Sequence, residues 1–372
     1  MFRSQQTIIL QDLRKKMVFL TGPRQVGKTW LAQELMKTFK KPLYLNYDDP
    51  DHLKIIKKRT WLREIDFIIF DEIHKMPGWK NYLKGIYDTR PQNLHILVTG
   101  SARLDTFRYS GDSLAGRYFL HHLLPLSLAE MNSSSVAEEE KLIQRGGFPE
   151  AFLANSDEDA DRWRSQYLQG LIRFDVLDFE RIHDFKAIQN VLEILRRSVG
   201  STISYQSIAE DVGVALNTVK KYIQILEDLH IVFRLIPYSS KIRHSLKKEP
   251  KLYFYDTGAV VGDVGAKYEN YVALSLYKYL LQIADQKGKP VGLYYLKTKA
   301  GNEVDFCLVI DDKIKNIIEA KWTDDHLHKG LNYFCKKYHL AGIQLVHHLK
   351  TEQQFENIKI KDSATYLKSL SC

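Results

Sequence analysis

Cysteine is scarce in this chain of 372 residues. Its only examples, Cys307, Cys335 and Cys372, form neither a paired framework nor a cluster at metal-ligand spacing, which argues against a disulfide scaffold and a cysteine-bound metal. Long hydrophobic runs are missing too: no apolar stretch approaches the roughly 20 residues that a membrane-spanning helix needs. The start, Met1 to Gln6 followed by Thr7-Ile8-Ile9-Leu10, is too short in apolar residues for a secretory leader, so a cytoplasmic protein is expected. The remainder is ordinary for a globular protein, 44% hydrophobic and 27% charged, at a length that accommodates two or three domains. The balance is basic, with a formal net charge of +9, which fits an anionic partner such as nucleic acid or a generally basic protein.

One segment, Gly22-Pro23-Arg24-Gln25-Val26-Gly27-Lys28-Thr29, meets the pattern G-x-x-x-x-G-K-[ST] at every fixed position. Before it, Met17-Val18-Phe19-Leu20 predicts a buried strand. After it, Trp30 to Met36 has helical spacing, with Trp30, Leu31, Leu35 and Met36 on one side. Gly22 and Gly27 permit turns that aim N–H groups at phosphate oxygens, and the helix adds the positive end of its dipole. Lys28 is expected at the β- and γ-phosphates and the Thr29 hydroxyl on Mg²⁺, so ATP and Mg²⁺ are the expected ligands.

Phe67-Ile68-Ile69-Phe70 predicts a parallel strand buried on both faces and ending in Asp71 and Glu72. At the carboxyl end of such a strand Asp71 could hold the Mg²⁺, and Glu72 could orient or deprotonate an attacking water. A further strand from His95 ends in Thr99-Gly100-Ser101, where Thr99 or Ser101 could sense the γ-phosphate or position water. Arg24, Arg103, Arg108 and Arg117 are the arginines available to the phosphates, in cis or from a neighbouring subunit.

These segments resemble a group of prokaryotic AAA+-superfamily ATPases that carry a C-terminal domain of unknown function. The likeness extends through Leu114-Ala115-Gly116-Arg117, Leu124 to Glu130, Gly146-Gly147-Phe148-Pro149-Glu150, Tyr253 to Gly258 and Gly301 to Phe306, and so covers nearly the whole chain. It implies ATP binding and hydrolysis, a three-part architecture and a homo-oligomer. It also makes Arg117 the first choice for a phosphate-sensing or inter-subunit arginine. The expected fold is α/β: a P-loop parallel sheet of AAA+ type over residues 1–130, a helical lid or connector over 131–185, a winged-helix domain over 186–250 and an α/β nuclease-like domain over 251–372.

In the middle of the chain, Ile188 to Leu195 marks one helix, Ser204 caps a second that runs to Val212, and Gly213 turns into a third starting at Ala215. Helix, glycine turn and helix form the helix-turn-helix pattern, and Ile231 to Ile236 with Lys251 to Tyr255 would add a wing hairpin. In a DNA reader the third helix would present Asn217, Thr218, Lys220 and Lys221. The basic stretch Lys241, Arg243, His244, Lys247, Lys248 and Lys251 lies in the wing, with Lys247 and Lys248 as further DNA contacts. A winged helix that packs against the ATPase without touching DNA is the other reading.

Near the C-terminus, Glu303 to Ile310 alternates as a strand, Asp311-Asp312-Lys313 is turn-like, and Asn316 to Lys321 returns. A turn centred on Asp312 pairs position 305 with 319, and Lys321 shares their face. This region resembles the PD-(D/E)xK nuclease fold. The resemblance implies that Asp305 and Glu319 bind Mg²⁺, that Lys321 positions water, and that Glu269 is the additional acid. Three readings stay open: a nuclease, a retained fold used for binding, and a coincidental salt-bridge cluster. For the whole chain, the leading expectation is an ATPase that remodels or processes DNA. The alternatives are an ATP-gated regulatory switch in defence or signalling, and a metal-dependent nuclease regulated by its ATPase.

Overall fold

The computed structural model describes residues 3–61, 64–100, 114–131, 136–175, 184–239, 249–323 and 325–370. The chain divides into two compact units, Arg3–Leu124 and the chain from Pro125 onward. Among the described residues no helix is long and apolar enough to cross a membrane.

The first unit runs α1 (Gln6–Leu13), β1 (Met17–Thr21), α2 (Lys28–Met36), β2 (Pro42–Asn46), α3 (Pro50–Lys58), β3 (Phe67–Asp71), α4 (Trp79–Thr89), β4 (His95–Thr99) and β5 (Tyr118–His122). Its strands form a five-stranded sheet in the order β2-β3-β4-β1-β5, every neighbouring pair parallel. Every residue of β1 and of β3 is buried, as apolar strands covered on both faces require. On one face Met17, Phe19, Ile68, Phe70, Ile96 and Val98 join Ile56 of α3 and Trp79, Leu83 and Ile86 of α4 in a core. α1 and α2 pack against β1, β3 and β4. α3 starts sharply because Asp49 caps the N–H groups of Asp51 and His52 at 2.9 Å and Pro50 occupies its first turn.

The second unit begins with α5 (Val136–Arg145), α6 (Pro149–Leu153) and α7 (Asp157–Gly170). α8 (Phe185–Arg197), α9 (Tyr205–Val212) and α10 (Leu216–Asp228) follow, then the antiparallel hairpin of β6 (Val232–Leu235) and β7 (Lys251–Phe254). The long α11 (Val264–Lys287) packs against β7 and the sheet beyond, and fully buried Asn270 ties it to β7 through the N–H and C=O of Phe254 at 2.7 and 3.0 Å.

The last sheet contains β8 (Val291–Lys297), β9 (Glu303–Ile310), β10 (Lys313–Lys321), β11 (Gly342–Val346), β12 (Gln353–Phe355) and β13 (Ile358–Asp362), with α12 (Lys329–Tyr338) and α13 (Ser363–Lys368). Its order is β12-β13-β11-β10-β9-β8, and β10, β11 and β13 are mutually parallel. Leu331, Phe334 and Cys335 of α12 cover Val304, Cys307, Val309 and Ile317.

Glu139 of α5 is fully buried in this unit. Its carboxylate accepts the Ser363 hydroxyl at 2.8 Å and lies 3.7 Å from Nε2 of His347. Burial pushes the Glu139 carboxyl up to about 7, partly offset by the Ser363 bond.

Candidate functional site

The phosphate-loop residues stand between β1 and α2, at the carboxyl edge of the first sheet. Gly22 (φ 142°) is required by close approach: a Cβ there would lie 2.1 Å from the backbone oxygen of Leu123, just beyond β5. Gly27 adopts a left-handed φ of 98° and opens α2. Val26 is fully buried and anchors the loop, while Arg24 and Gln25 are exposed. The Lys28 ammonium donates to the carbonyls of Gly22 at 3.0 Å and Pro23 at 2.6 Å, which folds the side chain back across its own loop.

Parallel register brings the strand ends together: Leu20 pairs with Thr99, Thr99 with Asp71, and Asp71 with Asn46. Because β4 lies between β1 and β3, Thr99 stands beside the Asp71 carboxylate. Its hydroxyl donates to Asp71 Oδ1 at 2.6 Å, Thr29 donates to Oδ2 at 3.1 Å, and Tyr44 of β2 donates to Oδ2 at 2.5 Å. Three hydroxyls from three elements thus fix one carboxylate. Thr99 is fully buried, and its hydroxyl is engaged by Asp71 at the strand ends. Tyr44 had no motif to mark it.

Glu72 follows in a left-handed conformation (φ 56°), its N–H bonded to Thr99 O at 2.9 Å. Burial raises its carboxyl above the usual range and the Asp71 charge adds to this, while Lys75, Lys28 and Arg24 oppose it. Thr29 and Asp71 offer only oxygen donors, the chemistry Mg²⁺ takes from proteins when phosphates supply the remaining ligands. The residues present therefore fit Mg²⁺, which would neutralise phosphate charge there.

Arg117, expected as a phosphate-sensing or inter-subunit arginine, lies away from its own phosphate loop. Tyr118 pairs with Met17, the first residue of β1, so Arg117 sits at the amino edge of the sheet. At about 3.3 Å per residue, roughly 16 Å of strand separates it from the loop. Its guanidinium is held in a fork by Asp88, at 2.8 and 3.1 Å. Ser101, Arg103 and Arg108 lie outside the described residues, as do Lys247 and Lys248.

Sequence reasoning also passed over Arg3. It is fully buried and donates to the backbone oxygens of Val26, inside the phosphate loop, and of Leu124, the latter at 3.0 Å. Gln5 adds a bond to His122 O at 2.8 Å. A basic residue two places from the start carries no periodic signal, so nothing in the sequence marks it.

In the second unit, Ser204 caps α9, Gly213 ends it at a φ of 74°, and α10 follows. Val219, Tyr222, Ile223 and Leu226 face the core. Asn217, Lys220, Lys221 and Gln224 are exposed at helical spacing on one face, and Thr218 is half-buried beside them.

The four expected nuclease-like residues come together, with partners that change their chemistry. The β9–β10 turn is Asp311-Asp312, both left-handed, and an irregularity between Ile314 and Asn316 then shifts the register by one residue. Ile318 pairs with Phe306, and continuing that register sets Glu319 opposite Asp305. Glu319 is 3% exposed. It pairs with Lys321 at 2.8 Å and with His328 at 3.2 Å, and it accepts the Asp305 N–H at 3.3 Å. Burial, then the Asp305 charge, lifts its carboxyl well above the usual range.

Lys251, read with the basic stretch of the wing, is 1% exposed. Its ammonium meets Glu303 at 2.8 Å, Asp305 at 3.3 Å and Glu269 at 3.5 Å. Tyr253 donates to Glu269 at 2.7 Å, and burial followed by the Asp305 charge pushes the Glu269 carboxyl up to about 7. Among the described residues no three His, Cys, Asp or Glu side chains are arranged to hold a metal ion.

Comparison with known proteins matches these units to family models. Residues 14–132 match an AAA domain, residues 137–266 a domain of unknown function (DUF8612), and residues 264–369 a second one (DUF4143). With the loop and strand ends described above, the first unit is an AAA-type P-loop ATPase domain, which supports ATP binding and hydrolysis. The uncharacterized protein Rv2008c of Mycobacterium tuberculosis is 27% identical over 307 residues, spanning 78% of this chain and 67% of its own. The uncharacterized protein MJ1544 of Methanocaldococcus jannaschii is 24% identical over an alignment of 401 residues, covering 95% of this chain and 88% of its own. Among solved structures, the Walker-type ATPase PABY2304 of Pyrococcus abyssi covers 72% of this chain and 96% of its own at 14% identity. The TM-score of that superposition is 0.45.

Proposed function

We propose that this chain hydrolyses ATP with Mg²⁺ and uses the reaction to act on DNA. The observation that carries the reading is the Asp71 carboxylate, fixed by Thr29, Tyr44 and Thr99 directly beside Glu72. Loop N–H groups and Lys28 bind the phosphates, and Thr29 with Asp71 would hold Mg²⁺, which would offset the phosphate charge. Glu72 takes a proton from water as its oxygen attacks the γ-phosphorus. The bond to the β,γ-bridging oxygen breaks, and ADP and phosphate leave. The lifted Glu72 carboxyl suits this base role, because a base works best with a pKa nearer the working pH. Arg117 serves, on this reading, as an inter-subunit arginine in a homo-oligomer, since its own phosphate loop is out of reach.

DNA is the proposed partner because α8, α9, α10 and the β6–β7 hairpin follow one another in winged-helix order. The face of α10 turned away from the core carries Asn217, Lys220 and Lys221. ATPase assays with single-stranded, duplex and branched DNA test the reading. Stimulation by DNA in the wild type, lost in Lys28→Ala, is the expected result. Absence of DNA binding even at low salt favours an ATP-gated protein switch instead.

A further inference from the structure

We infer that Lys251 is the built-in cation of the cluster formed by Glu269, Glu303 and Asp305, and that its ammonium takes the place a divalent metal would need. The acidic residues of the last sheet are thereby held together without Mg²⁺, and they are not a phosphodiester-cutting centre.

An ammonium has three N–H donors, and here it faces three carboxylates, at 2.8, 3.3 and 3.5 Å. Mg²⁺ would need oxygens at about 2.0–2.1 Å in the same volume, which the ammonium already fills. Oxygens of Asp305, Glu303 and neighbouring Glu319 are engaged by other groups as well. Asp305 Oδ2 accepts the Ala320 N–H at 3.1 Å, Glu303 Oε2 meets Lys297 at 2.8 Å, and Glu319 Oε1 meets Lys321 at 2.8 Å. Lys251, Lys297 and Lys321 thus stand against Glu269, Glu303, Asp305 and Glu319, leaving little negative charge to attract a divalent ion.

The backbone of Lys251 is fixed on both sides. It pairs with Leu235 on β6, bridges to Thr202, and is preceded by Pro250, whose carbonyl accepts the Ile203 N–H at 2.8 Å. Gly200 closes the other side of Glu269, where a Cβ would lie 2.6 Å from its carboxylate. Burial by itself would strip a proton from the lysine, but the charges of Glu269 and Asp305 outweigh it and keep the ammonium protonated.

The test counts Mn²⁺ bound per nucleotide-free full-length chain by electron paramagnetic resonance, in wild type, Asp305→Asn and Lys251→Met. Any ion at Thr29 and Asp71 is common to all three and cancels. Equal counts in wild type and Asp305→Asn are expected, with one additional ion in folded Lys251→Met, where the carboxylates lose their cation. An ion bound by wild type and lost in Asp305→Asn overturns the inference. So does a folded Lys251→Met that gains none. If Lys251→Met does not fold, the comparison of wild type with Asp305→Asn decides alone.

Discussion

Tyr44 donates its phenolic proton to Oδ2 of Asp71 at 2.5 Å, the same oxygen that accepts from Thr29. Burial, then this bond, raises the phenol well above its ordinary pKa, so it remains a donor at any physiological pH. Tyr44→Phe removes a hydrogen bond to a charged acceptor, worth about 1.5–3 kcal/mol. We expect kcat/KM for MgATP to fall about tenfold or more, measured by steady-state hydrolysis across a Mg²⁺ titration. An unchanged value would show that Thr29 and Thr99 suffice to orient Asp71.

Glu72→Gln keeps the shape of the site and removes the base. ATP binding should persist while turnover falls by about 10²–10⁴, the usual worth of a general base. Since burial raises the Glu72 carboxyl, the acid limb of the wild-type rate profile should lie above the ordinary carboxylate range, with the rate rising as the base deprotonates. Undiminished turnover in the variant refutes the assignment.

Arg3→Ala withdraws the donors that tie the phosphate loop at Val26 to the chain at Leu124. Each buried carbonyl left without its donor costs about 1–3 kcal/mol. Urea unfolding should show reduced stability, and nucleotide affinity should fall with it. Arg3→Lys should rescue only in part, because one ammonium cannot reproduce the guanidinium fork.

Glu139 gives a pH dependence of defined sign. Its folded carboxyl titrates near 7, above the ordinary value of 4.5. Between those values the folded chain keeps a proton that the unfolded chain releases, so stability falls as pH rises through the window. The penalty is fully present above it, on the order of 3 kcal/mol. Glu139→Gln should flatten this part of the profile and stabilise the protein at pH 8 relative to wild type. Thermal unfolding of both proteins from pH 4 to pH 8 checks it. Parallel profiles would mean that Glu139 titrates normally.

Lys220 and Lys221 should each neutralise a phosphate if α10 lies on DNA. Replacing both by Ala should lower the slope of log affinity against log salt by about 0.9 for each phosphate left without its lysine. Anisotropy titrations with duplex DNA at several salt concentrations measure it. A slope that does not move places the DNA elsewhere on the chain.

The residues most legible in the sequence were those whose types are set by phosphate and Mg²⁺ chemistry: the run from Gly22 to Thr29, and Asp71 after an apolar strand. Which edge of the sheet Arg117 occupies was not legible, because sequence does not show beside which strand β5 lies. Parallel pairing with β1 sends Arg117 to the far edge. Position 305 does face 319, but by a different route from the one expected: a turn of Asp311 and Asp312 followed by a register shift near Lys315. Lys251 was illegible because a buried lysine has the same letter as its neighbours Lys247 and Lys248. Only the fold reveals the acids waiting for it.

The ion cage around Lys251 also crosses a border of inheritance. The two domains of unknown function meet at residues 264–266, with Lys251 on one side and Glu269, Glu303 and Asp305 on the other. A chain divided there strands a buried ammonium in one piece and three crowded carboxylates in the other. A substitution or exchange on one side of that border changes the charge balance of a cage whose other members lie on the other side.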